Sequence, residues 1–129
     1  MKNLLLLSTL TLSLMFSAAS WAEWTEVAES ADKSSVTYVD FDRIKKVNGL
    51  VYYWGLKDYL EPGDTGTMST KTYHKADCET MREMWLSFSS YKLPMAEGAA
   101  TYTFTPDPAW DYAQPASVGE TTLNAVCAH

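Results

Sequence analysis

The sequence predicts an α+β domain, a series of short β-strands closed by one C-terminal helix. Two observations carry this. Between residues 36 and 104, β-branched and aromatic residues recur in short alternating runs broken by turn chemistry at Asn48-Gly49 and Glu61-Pro62-Gly63-Asp64. After three spaced prolines, residues 117–127 change to helical spacing behind a capping signal.

The elements follow in order. Residues 1–22 read as a cleavable export signal, with Lys2, an apolar run from Leu4 to Phe16 and the small-x-small site Ser20-Trp21-Ala22. The mature chain would then be one domain over residues 23–129. Trp24 to Glu29 alternates as a first strand, and Ser30 to Ser34 is a polar turn. Val36-Thr37-Tyr38-Val39 is a second strand, after which Asp40 caps a tight turn through Asp42 and Ile44. Asn48-Gly49 is a hairpin signal leading into Leu50 to Leu56, the densest apolar segment and the expected central strand. Alternation puts Leu50, Tyr52, Trp54 and Leu56 on one face and Val51, Tyr53 and Tyr59 on the other, so both faces are expected to be at least partly covered, with Tyr52 and Trp54 in the core. Thr67 to Lys75 is a more exposed strand. Residues 77–91 fit two readings. Met81, Trp85 and Phe88 lie at helical spacing behind Asp77, while the same stretch also alternates as a strand. Gly98 to Thr105 is a last strand, and Pro106, Pro108 and Pro115 hold an extended connector to Ala116. Ser117 and Glu120 form a capping box, with Gly119, Leu123, Val126 and Cys127 on one helix face.

Composition excludes several classes. The chain carries a formal charge of −6, and without Lys2 its ten basic residues become nine against sixteen acidic ones. Nucleic acid and anionic lipid are therefore poor partners. No second apolar run reaches the roughly 20 residues of a membrane span. The lone cysteine pair of an exported chain predicts one disulfide, Cys78 to Cys127, with two reduced thiols as the alternative. Such a bridge would close a loop of about 50 residues and hold a helix of about 10 residues, marginal alone, against the strands. No cysteine precedes Cys78, so no lipid-bearing residue follows the signal, and the expected location is periplasmic or secreted.

An ordered set of residues carries a resemblance over nearly the whole mature chain: Trp24-Thr-Glu-Val27, Tyr38-Val39-Asp40 with Ile44 and Asn48-Gly49, Val51-Tyr52-Tyr53-Trp54, Asp77-Cys78-Glu79, Tyr91-Lys92 with Gly98, then Trp110, Pro115-Ala116-Ser117 and Cys127. In these the chain resembles the surface-adhesin protein E family of Gram-negative bacteria. The resemblance implies an antiparallel sheet of about five to six strands with a disulfide-tethered C-terminal helix, and makes Asp77 to Leu86 a strand. It implies a surface adhesin that binds host matrix or serum proteins such as laminin, vitronectin and plasminogen, and that forms a homodimer. The family's lipid anchor has no counterpart residue here.

Candidate sites are few. Arg43, Lys45 and Lys46 form the one dense basic cluster, suited to an acidic segment or sulfated sugar, although a solvated turn is the plainer reading. Tyr53 and Tyr59 are the expected interface pair, while Tyr52 and Trp54 are assigned to the core. His74, Cys78, Cys127 and His129 suggest thiol–imidazole or metal chemistry only if both thiols are reduced. Asp40, Asp42 and Asn48 fail as a calcium loop because Ile44 occupies a ligand position. There is no glycine-rich phosphate loop and no Gly-x-Ser-x-Gly elbow. The expectation is a non-enzymatic binding protein without cofactor or metal. The alternative is a periplasmic accessory protein for a small molecule or envelope component, which a concave apolar pocket facing the helix would favour.

Overall fold

A computed structural model describes residues 23–129; the export signal read in residues 1–22 lies outside the described residues. Eight strands form one antiparallel sheet: β1 (Thr25–Glu29), β2 (Ser35–Val39), β3 (Lys45–Val47), β4 (Leu50–Tyr59), β5 (Ser69–Asp77), β6 (Arg82–Tyr91), β7 (Tyr102–Phe104) and β8 (Asp111–Tyr112). The order is β1-β2-β4-β5-β6-β7, with β3 beside β2 on one edge of β4 and β8 beside β7 on one edge of β6. The five longer strands make the body, and β3, β7 and β8 are short additions at its margins. The last of the expected strands, Gly98 to Thr105, pairs only over Tyr102–Phe104.

Local chemistry explains the turns. Asn48 and Gly49 both take positive φ, 51° and 79°, the conformation a two-residue hairpin between β3 and β4 needs. Asp40 precedes a 3-10 turn at Phe41–Arg43 without a side-chain cap bond, and its carboxylate instead pairs with Arg43 at 3.5 Å. The disputed stretch is neither one helix nor one strand. Asp77 Oδ1 accepts from the N–H groups of Glu79 (3.1 Å) and Thr80 (3.4 Å), as a helix cap would. Met81 then takes φ 52°, and the chain returns as β6. The reading of Asp77 to Leu86 as a single strand is thus corrected to a strand end, a tight turn and a new strand.

Two bulges break the ladder. Glu26 pairs Tyr38 and Ala28 pairs Thr37, leaving Val27 unpaired. Ser87 pairs Tyr73 and Trp85 pairs His74, leaving Leu86 unpaired.

Helix α1 (Val118–Cys127) covers one face of β1, β2 and β4. Ser117 Oγ accepts from Glu120 N at 3.1 Å, and Glu120 Oε1 accepts from Ala116 N at 3.3 Å, one residue beyond the N-cap N–H of the expected box. The core is Val39, Val51, Tyr53, Ala76, Leu123 and Val126. This overturns the assignment of Tyr52 and Trp54 to the core, although both faces of the central strand are partly covered as expected. Val51 and Tyr53 lie under the helix, while Tyr52 and Trp54 are half-buried on the other face. Both sets are apolar, so alternation separates the faces without saying which one a helix covers. Leu56 is buried on the second face, where the chain at Pro94–Ala96 crosses β4 and β5: Met95 N donates to Asp58 (2.8 Å) and Ala96 N to Ser69 Oγ (2.8 Å). A disulfide joins Cys78, in the β5–β6 turn, to Cys127 at the helix end, with Cα atoms 5.7 Å apart.

Candidate functional site

The sheet presents two chemically distinct surfaces. On the face away from the helix, strand register builds a cationic-aromatic surface. Lys45, Tyr52, Lys75 and Met84 form one row across β3 to β6. Trp54 and Tyr73 form the next, their rings stacked at 4.7 Å, and Lys71 follows in the row of Leu56. The Lys71 ammonium lies 5.4 Å from the Trp54 ring and 5.6 Å from Tyr91. Trp110, carried by the proline-rich connector, receives Lys75 at 5.2 Å and the Arg82 guanidinium at 4.3 Å. Arg82 also pairs with Asp77 at 3.3 Å. Four of the nine cations in residues 23–129 thus gather on one face of an acidic chain.

The helix-bearing face holds a polar cluster at its centre. Tyr53 OH donates to Glu83 Oε2 at 2.6 Å, and Trp85 Nε1 donates to Oε1 at 3.4 Å. His74 Nδ1 lies 3.2 Å from Glu83 Oε2, a charge-pairing distance without hydrogen-bond direction, while Nε2 bonds Thr72 Oγ1. The His74 ring stacks on Tyr53 at 4.6 Å, and Trp85 meets it edge-on at 5.7 Å. Desolvation pushes the Glu83 carboxyl up, but His74 beside it and the donors Tyr53 and Trp85 outweigh this and hold it below its ordinary 4.5. Burial, then the Glu83 charge, push the Tyr53 phenol well above its ordinary 10.0. The cluster lines a cleft of about 270 Å³ between sheet and helix, which Gly119 and Thr122 close. An adjoining hollow of about 440 Å³, lined by Tyr59, Glu61, Phe88 and Ser90, shares Thr70 with it.

The residues singled out in the sequence separate. Lys45 joins the cationic face beside Tyr52. Lys46 donates to the backbone carbonyl of His129, whose ring lies 5.2 Å from Phe41. Arg43 turns to Asp40. Tyr53 is 1 % exposed, a core residue rather than a surface one, and Tyr59 is half-buried at the hollow. Sequence reasoning missed Lys71, Lys75, Arg82 and Trp110, which only strand register brings together. Glu79 and Glu83 read in the sequence as carboxylates on one strand face with nothing to bury them; the structure corrects this for Glu83, which Tyr53, His74 and Trp85 enclose from three strands. Both cysteines are in the disulfide, and among the described residues no group of three or more His, Cys, Asp or Glu side chains could hold a metal ion. No helix of the described residues is long and apolar enough to cross a membrane.

Comparison with known proteins agrees with the architecture. One crystal form of Haemophilus influenzae protein E has a TM-score of 0.58 at 14 % identity, covering 80 % of this chain and 87 % of that one. Another Haemophilus influenzae protein E structure gives 0.58 at 12 % identity, over 84 % and 86 % of the two chains. Protein E from non-typeable Haemophilus influenzae gives 0.57 at 12 %, over 80 % and 75 %. These likenesses show the fold. No curated protein matches the chain. The model of the surface-adhesin protein E family matches residues 24–128, and the chain belongs to that family.

Proposed function

We propose that residues 23–129 are the mature form of an exported, non-enzymatic binding protein that engages a host matrix or serum protein through the cationic-aromatic sheet face. Family membership supports adhesion. The observation that carries the choice of surface is the gathering of Lys45, Lys71, Lys75 and Arg82 over Tyr52, Trp54 and Trp110 on the face the helix leaves open. Flat rings supply contact area at low entropic cost, and the cations select an acidic segment of the partner. The Glu83 cluster is read as structural, because its carboxylate is enclosed by its own donors. The test measures binding of the mature chain to immobilised laminin, vitronectin and plasminogen. The Lys71→Glu, Lys75→Glu double variant should lose binding while melting normally; retained binding would remove this face from the proposal.

A second reading has its own observation. The concave cleft of about 270 Å³ between sheet and helix, part aromatic and part polar, supports a periplasmic small-ligand protein. Protease shaving of whole cells separates the two, since adhesion needs the chain outside and the second reading needs it in the periplasmic fraction.

A further inference from the structure

We infer that the hollow on the helix-bearing face, running from the helix N-terminus to β7, is a groove for an uncharged oligosaccharide. The inference rests on the second, small-ligand reading and names its ligand class. Helix α1 stops short of β6 and β7, and there the sheet presents Trp85, Phe88, Phe104 and Tyr102 in one unbroken run. Successive ring centroids are 6.2, 5.2 and 5.4 Å apart, and the Trp85 and Phe88 planes differ by 4°. Trp85, Phe104 and Tyr102 are 40 %, 39 % and 60 % exposed. Scattered surface apolar residues need no explanation, but a contiguous run of rings beside a hollow does.

The rest of the lining is hydroxylic. Thr65, Thr67, Thr70 and Ser90 line the larger hollow, and Thr70 and Thr122 the cleft. Thr122 Oγ1 donates to Val118 O at 2.8 Å, Ser90 Oγ pairs with Thr101 Oγ1 at 3.4 Å and Thr65 Oγ1 with Thr67 Oγ1 at 3.0 Å, which holds these hydroxyls in place and leaves them acceptor lone pairs. A hydroxyl both donates and accepts, as a sugar hydroxyl does.

Charge decides among occupants. The ionisable lining is Lys57, Glu61, His74 and Glu83. The Lys57 ammonium lies 5.7 Å from the Tyr59 ring, and Glu83 is held by Tyr53 and Trp85. An acidic segment is drawn to the opposite face, where the cations are. With Lys57 in the cleft and Lys92 Nζ on Thr65 O at the rim of the larger hollow, against Glu61 and Glu83, the lining is mixed in sign and gives a charged partner less hold than the opposite face does. Rings that take the apolar face of a pyranose, next to fixed hydroxyls, complement a neutral sugar chain. The larger hollow, about 440 Å³, falls within the range of about 300–1,000 Å³ that encloses a small ligand.

The test titrates the mature chain with tri-N-acetylchitotriose and with maltotriose, followed by tryptophan fluorescence and amide NMR. Saturable binding should shift amides of β6, β7 and the first turn of α1. Trp85→Ala and Phe104→Ala should each weaken it about tenfold, the scale of one aromatic contact. Phe104 sits on a short margin strand, so its variant keeps the test valid if Trp85→Ala misfolds. Tyr112→Ala, an exposed aromatic elsewhere, should bind as the parent does. Binding of neither sugar, with anilinonaphthalene sulfonate still bound and displaced by Trp85→Ala, would overturn the sugar assignment and keep the small-ligand reading. Binding of no probe would overturn both. The same amide shifts arising from concentration alone, with doubled mass by light scattering, would assign the groove to a second copy and overturn the proposal.

Discussion

Glu83 shows how one carboxylate can lock a sheet and govern its response to acid. It accepts from Tyr53 on β4 and Trp85 on its own strand, and lies 3.2 Å from His74 Nδ1 on β5. Its folded-state pKa is held below the ordinary 4.5, so its stabilisation is fully present above that pH and is lost as pH falls through the folded value. Urea melts through the acid range should show this loss, and Glu83→Gln should flatten that part of the profile. Gly55 makes room for the cluster, because a Cβ there would lie 3.3 Å from His74 Nε2 and 3.4 Å from Thr72 Oγ1. Gly55→Val should therefore destabilise by about 1–3 kcal/mol, measured by thermal melting, through overpacking. None of this was legible in the sequence. Glu83 reads as an ordinary strand carboxylate until the register sets it opposite Ala76, beside His74.

At the level of elements, local chemistry was the most readable part. The Asn48-Gly49 hairpin and the Ser117 cap stand where turn and cap propensities put them, because both depend on neighbouring backbone alone. Ser117→Ala should cost about 1 kcal/mol in a denaturant melt. Residues 77–91 misled for a physical reason. Asp77 does cap N–H groups, but those of a turn. The bulge at Leu86 then brings Trp85 and Phe88, three residues apart, to one face, which imitates helical spacing in an extended strand. The disulfide spans a sequence separation of 49, and its chain-entropy contribution is roughly 4 kcal/mol. In the Cys78→Ser, Cys127→Ser double variant the melting temperature should fall, and amide exchange in α1 should quicken before exchange in β4 and β5. Equal protection throughout would mean that the helix docks on apolar contact alone.

The whole molecule divides its chemistry between two faces: cations over rings on one, and rings among hydroxyls on the other. Recognition through the first should weaken steeply with salt, since exposed charges are screened beyond a Debye length of about 8 Å at physiological ionic strength. Titrating sodium chloride against matrix-protein binding checks this. A salt-insensitive interaction would point away from Lys71 and Lys75. The overall architecture was readable because strand runs, turns and one helix follow in order. The partition between faces was not, because it depends on which residues the ladder skips. Leu86 sets that parity. One unpaired residue reverses the count for every position after it in β6, so Phe88 and Ser90 look toward the helix side rather than toward Lys71. Two relatives with the same aromatic residues, differing by one residue in this strand, would therefore display them to opposite sides of the molecule. At the low identities found among these structures, residue-by-residue matching of β6 can preserve the letters and invert the surface.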